Sequence, residues 1–195
     1  SMPGTVEILP TQSSQFVSAL MLIAPFLPNG LTLTQPKGVT SASYVRMTLE
    51  LLDHLGVHTQ HAGDLAVIRI KRGMNRFVLD IEPDASGATY WWAAGALLPD
   101  TTIRVEGIAL DASQQGDAQF PLLLERMGCT LVTGERTLAC RGTNNLIPII
   151  CDMRDMPDAV MSLAAVACFA SGTTIIRGVK TLRVKECDRI EAMKV

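Results

Sequence analysis

Charge is scarce in this chain, and what there is nearly balances. Only 18% of its 195 residues are Asp, Glu, Lys or Arg, and the formal net charge is −2. That balance argues against the broad basic face that nucleic-acid binding needs. Any anion site must therefore come from a local cluster. Aromatic residues are few as well, at 5%, so the 48% hydrophobic content is mostly aliphatic. No apolar run approaches the ~20 residues of a membrane-spanning helix. The longest, "FVSALMLIAPFL", is broken by Pro25 and predicts a buried helix. Cysteine is limited to positions 129, 140, 151, 168 and 187, an odd number with no CxxC pair. This argues against both a zinc site and a disulfide framework. It predicts reduced thiols in a cytosol-like compartment. Cys168, inside an apolar helical run, is expected in the core. His54, His58 and His61 have metal-like spacing, but Gly56 stands between the first two as a helix stop. They need not share a face, and no metal is expected.

What the chain does have is an internal repeat. "SSQFVSALMLIAPFLPNGLTLT" from Ser13, "ASGATYWWAAGALLPDTTIRVEG" from Ala85 and "PDAVMSLAAVACFASGTTIIRG" from Pro157 share one pattern. Each opens with small or polar residues, continues as an apolar helix, turns, and ends in a Thr-rich strand. Leu27 and Leu98 are 71 apart, and Leu98 and Ala170 are 72 apart. A second helix follows in "SYVRMTLELLDHLGVHT", where Val45, Leu49, Leu52 and Leu55 form one face. "DAQFPLLLERMGCTLV" repeats it, and the helix stops Gly56 and Gly128 are again 72 apart. Strand pairs are expected from "LAVIRI" with "FVLDI" and from "RTLACR" with "LIPII". The unit reads β-α-β-α-β-β. A third copy begins at Pro157, and its second helix is expected to run past residue 195, as in a piece of a longer protein. A domain boundary is expected at "EPDASG", where Asp84 or Ser86 can cap the next helix. Stacked repeats bury their faces against neighbours.

Four stretches carry candidate chemistry. "LRVKECDRIEAM" packs six charges into the nine residues Arg183–Glu191. Spacing alone fits a solvated helix start decorated by i,i+3 and i,i+4 pairs. It also fits Lys185 and Arg189 sharing one face at a strand-to-helix junction, where helix N–H groups favour phosphate or carboxylate. Glu186 and Asp188 would then stand by for proton transfer. In "DMRDMPDAV", Asp155 suits a cap, Pro157 a first helical position, and Asp158 either a first-turn acid or a general base. In "TQSSQF", Ser13 and Ser14 suit caps, or with Gln15 a run of neutral donors for a phosphoryl group. In "VTSASY", Ser41 and Tyr44 open the next helix with the same two readings. Trp91 and Trp92 are expected to pack rather than to stack on a ligand.

The order and spacing of "SSQF", "SASYVRMTLELL", "DAS", "MPDAVMSLA" and "RVKECDR" resemble those of the 5-enolpyruvylshikimate-3-phosphate synthases, the 3-phosphoshikimate 1-carboxyvinyltransferases. The resemblance covers essentially the whole chain but only part of the family's length. It implies an α/β fold of repeated β-α-β-α-β-β units, the enolpyruvyl transferase inverse α/β barrel, here as a partial two-domain piece. Residues 1–83 would be the last unit of one domain, and 84–195 one and a half units of the other. The implied reaction, in aromatic amino-acid biosynthesis, moves the enolpyruvyl group of phosphoenolpyruvate to the 5-hydroxyl of shikimate 3-phosphate and releases phosphate, with neither cofactor nor metal. The location implied is cytoplasmic, or plastid in a plant.

On this resemblance Ser13, Ser14, Gln15, Ser41 and Tyr44 would hold shikimate 3-phosphate. Asp158 would take the 5-hydroxyl proton. Lys185 would orient shikimate 3-phosphate, Glu186 would serve proton transfer, and Arg189 would bind phosphoenolpyruvate. Thr181 stands where the family commonly has an Asn on shikimate 3-phosphate; it is shorter and lacks the amide. Cys187 stands where Thr or Ser is usual. The family's remaining cations and its Gly-rich phosphoenolpyruvate loop belong to segments outside these 195 residues, so the isolated chain is expected to show little or no turnover. The competing readings are a UDP-N-acetylglucosamine enolpyruvyl transferase and a non-catalytic fragment that needs partner segments.

Overall fold

In the computed structural model, which describes residues 4–9 and 13–194, the chain separates into two compact units. One holds the residues up to Asp80 together with those from Thr181 on; the other runs from Ile81 to Lys180.

The first unit realises the predicted repeat. It runs β1 (Gly4–Glu7), α1 (Ser14–Ile23), β2 (Leu31–Thr34), α2 (Ala42–His54), β3 (Thr59–His61) and β4 (Val67–Ile70). The sheet order is β1-β2-β4-β3, with β1 parallel to β2 and β4 antiparallel to both neighbours. Strands β1, β2 and β3 therefore point the same way. Each helix links two of them, so α1 and α2 both run back against the strands, and their N-termini lie at the same end of the sheet. The helices pack side by side, with Ser18 Oγ 2.8 Å from Thr48 Oγ1. Val17, Met21, Leu33, Val45, Leu52 and Ile68 fill the space between helices and sheet. Helix α2 ends as its Gly predicts. Gly56 has φ 70°, its N–H donates to Asp53 O, and the Val57 N–H reaches back to Leu52 O. Only Gly adopts this left-handed cap without a Cβ penalty.

The second unit contains α3 (Ala85–Leu97), β5 (Thr102–Glu106), α4 (Phe120–Arg126), β6 (Thr130–Gly134), β7 (Thr137–Arg141), β8 (Ile150–Asp152), α5 (Val160–Ala167) and β9 (Ile175–Arg177). The β5-β7-β6 sheet repeats the β2-β4-β3 arrangement, and parallel β8 and β9 repeat β1 and β2. Helix α4 ends as α2 does, with Gly128 at φ 101° and the Cys129 N–H on Leu124 O. Asp84 caps α3 by accepting from the Gly87 N–H at 3.0 Å. Buried Trp92 donates its indole N–H to Leu138 O, and the hydroxyls of Thr89 and Ser162 join α3 to α5 at 2.8 Å.

Several expectations are corrected. The segment 77–81, "FVLDI", is not a strand; Val78 and Ile81 are 93% and 86% exposed. It straddles the change of unit at residue 80, so neither sheet holds the whole of it. The hairpin partners are instead β3 with β4 and β6 with β7, and of "LIPII" only Ile150 enters a strand. Helix α1 is buried on one face alone, because Phe16, Leu22, Ile23 and Phe26 are exposed. Trp92 packs, but its neighbour Trp91 is exposed. Cys168 is exposed rather than core, since it follows the last turn of α5, where its thiol donates to Ala164 O. The segment from Thr181 on groups with the first unit, whereas the repeat counts it with the second. It carries a short terminal helix, α6 (Arg189–Ala192).

Candidate functional site

The same-end N-termini of α1 and α2 put two sets of main-chain N–H groups and two hydroxyl-bearing stretches on one edge of the first unit. Such helix starts attract anions. At α1, Ser13 is the cap: its Oγ accepts from the Gln15 N–H at 3.2 Å. Ser14 is 4% exposed, while the Gln15 side chain reaches solvent. At α2, Ser41 occupies the cap position in the left-handed region, φ 49°, and makes no side-chain capping bond. The cap reading thus holds for Ser13 and fails for Ser41. Tyr44 follows one turn later, its N–H donating to Ser41 O.

The charged stretch meets this edge. The segment is anchored by Leu182, which is fully buried. Beyond it, Lys185 Nζ lies 5.6 Å from the centroid of the Tyr44 ring, within cation–π range. This contact joins residues 141 positions apart. No local pattern in the sequence signals it.

The expected helical face is not formed. Lys185 lies between a 3₁₀ turn (Lys180–Val184) and the cap of α6, so its spacing to Arg189 is not an i,i+4 spacing on one helix. Two ion pairs organise the stretch instead. Arg189 donates to Glu186 at 2.6 Å, and Arg183 to Asp188 at 2.7 Å. The Glu186 carboxyl is held below its ordinary range by its own main-chain N–H and then by Arg189. Asp188 is held low by the Glu191 N–H that it caps, with Arg183 adding to this. Arg183 was not among the candidate residues; it ties the cap of α6 back to the 3₁₀ turn. Thr181 opens this segment, and its Oγ1 is buried with no hydrogen-bond partner among the described residues. Buried hydroxyls are nearly always satisfied, so an orphan of this kind suits a ligand.

Asp158 belongs to the second unit. It lies in the 3₁₀ turn Pro157–Ala159 that leads into α5, with Pro157 at the first position as expected. The cap position falls on Met156 rather than Asp155, and no side chain caps it. Of the histidines, His54 ends α2 and His61 lies in β3, where its ring bonds the Ala62 carbonyl.

The sequence model of the EPSP synthase family (3-phosphoshikimate 1-carboxyvinyltransferase) matches residues 2–195. The chain belongs to the EPSP synthase family. Relatives named 3-phosphoshikimate 1-carboxyvinyltransferase include one from Citrobacter koseri, 37% identical, and one from Escherichia coli, 38% identical; each match covers 97% of this chain and 44% of the relative. The chain thus spans less than half the length of these EPSP synthases. Among solved structures, EPSP synthase from Acinetobacter baumannii superposes with a TM-score of 0.70 at 21% identity, over 98% of this chain and 44% of that one. The enolpyruvyl transferase NikO from Streptomyces tendae gives 0.65 at 24%, over 90% and 44%. These two likenesses show the α/β fold of the family.

Proposed function

We propose that this chain is the central part of an enzyme that transfers the enolpyruvyl group of phosphoenolpyruvate to the 5-hydroxyl of shikimate 3-phosphate, releasing phosphate. The observation that carries the reading is the seat of Lys185 on Tyr44, at the end of the first unit where two helix N-termini meet. Ser13, Ser14, Gln15 and Ser41 supply neutral donors there, and Lys185 supplies positive charge. Together they suit the phosphate of shikimate 3-phosphate. The buried hydroxyl of Thr181 adds a short donor from the same segment. In this reading Arg189 binds phosphoenolpyruvate, and substrate anions compete with Glu186 for it. A low-lying Glu186 is ionised and ready to accept a proton. Asp158 takes the proton of the 5-hydroxyl. The remaining segments of the parent enzyme complete the charge balance.

The test is calorimetric titration of the chain with shikimate 3-phosphate. Binding is expected, and it should be abolished by Lys185→Ala and by Ser14→Ala. Binding that survives both substitutions would remove the basis of the reading.

A further inference from the structure

We infer that Tyr44 serves the anion site through the face of its ring, as the platform that places the Lys185 ammonium, rather than through its hydroxyl. The inference rests on the proposed shikimate 3-phosphate site and adds a role for one residue in it.

Lysine is a poor anion ligand until something places it. Its four-carbon stem has many rotamers, and ordering them costs free energy at the moment of binding. A partner that orders the stem beforehand removes that cost. A carboxylate would do so, but it would also cancel the charge. Both outcomes are seen within a few residues: Glu186 orders Arg189, and Asp188 orders Arg183, each with a neutralising contact. An aromatic face works differently. Its quadrupole attracts the ammonium without carrying net charge, so the positive field persists for an incoming anion.

The platform is rigid. Tyr44 is fixed at the start of α2 by its N–H on Ser41 O, and its carbonyl accepts from Thr48 Oγ1 at 2.9 Å. Its neighbour Val45 is fully buried. The cation's tether is rigid too, because Leu182 is fully buried three residues before Lys185. Ring and ammonium are both half-buried, and partial removal from water strengthens cation–π attraction. Two anchored elements therefore hold the pair at 5.6 Å.

The experiment is NMR of the whole chain after reductive ¹³C-methylation of its lysines. The dimethyl-Lys185 signal is assigned by its loss in Lys185→Arg. In the unsubstituted chain and in Tyr44→Phe this signal should be shifted upfield by the ring; in Tyr44→Leu it should return to the position of the solvated lysines. A merely structural role for Tyr44 would not move it in this way. Titration with shikimate 3-phosphate supplies the second arm. Tyr44→Leu should weaken binding about three- to tenfold, while Tyr44→Phe stays close to the unsubstituted chain. An unshifted Lys185 signal overturns the inference by itself, even if Tyr44→Leu fails to fold. So does equal weakening in Tyr44→Phe. If Lys185→Ala abolishes binding while Tyr44→Leu leaves it intact, the platform is refuted and the anion site stands. If Lys185→Ala has no effect, the site reading beneath the inference is what fails.

Discussion

Ser13 and Ser41 look alike in the sequence, each a hydroxyl one step before an apolar helix, yet they do different work. Ser13 caps α1. Replacing it with Ala should cost about 1 kcal/mol of stability, as loss of a cap does. Ser41 holds a left-handed φ of 49° and caps nothing. For a residue with a Cβ that conformation costs on the order of 1 kcal/mol, and strain of this kind collects at functional sites. Ser41→Ala should therefore leave stability nearly unchanged, whereas Ser41→Gly should raise it by up to ~1 kcal/mol. Both should weaken binding of shikimate 3-phosphate, because both delete the hydroxyl. Urea denaturation and calorimetric titration of the three variants check this; a Ser41→Ala variant destabilised like Ser13→Ala would restore the cap reading. The difference was not legible beforehand. Residue type identifies a helix start, but the backbone angle at Ser41 is imposed by the turn before it.

At the scale of elements, the repeat was legible because two signals coincided. Apolar residues recur at helical spacing, and Gly56 and Gly128 stop the second helices 72 residues apart. Strand partners were less legible. Alternation in "FVLDI" identifies a segment able to be a strand, but pairing needs an available edge, and 77–81 lies where one unit gives way to the other. The charged stretch was legible in composition only. Its period suggested one helical face, while the structure breaks it into a 3₁₀ turn, an anchored Lys185 and a capped α6. Close backbone approach was also invisible in the sequence. A Cβ on Gly116 would fall 2.0 Å from the main-chain oxygen of Asp155, which cannot swing aside as a side chain can. Gly116→Ala should thus cost about 3 kcal/mol, read as a lowered urea midpoint with an unchanged slope. The cap of α6 predicts a pH dependence. Asp188 is held below its unfolded value, so its contribution is complete above the ordinary carboxylate range and is lost as pH falls through the lowered folded value. The Glu191 amide should lose its capped chemical shift over that acidic window. Asp188→Asn, which still caps but does not titrate, should keep the shift at low pH.

For the molecule as a whole, charge decides what these 195 residues can do alone. Each phosphoryl group carries about two negative charges near neutral pH, and phosphoenolpyruvate and shikimate 3-phosphate each add a carboxylate. Against these the candidate site sets Lys185 and Arg189, and Arg189 is already bound to Glu186. The chain's own net charge is −2, so no diffuse positive field makes up the difference. Losing one preorganised donor to developing charge costs an enzyme ~3 kcal/mol, and this chain covers only 44% of the relatives it matches. Its apolar surface is incomplete in the same sense. Phe16 and Phe26 of the first unit are 58% and 68% exposed, on the side of α1 opposite buried Val17 and Met21. An all-round apolar helix is normally enclosed on both sides. Binding and turnover should consequently separate. The chain should bind shikimate 3-phosphate, yet release phosphate from the substrate pair no faster than a buffer blank. Supplying the missing flanking sequence on the same polypeptide should restore phosphate release, and Asp158→Asn in that longer chain should abolish it again while leaving shikimate 3-phosphate bound. Phosphate release by the 195 residues alone, at rates matching a full-length relative, would show that two cations suffice and that the charge balance drawn here is wrong.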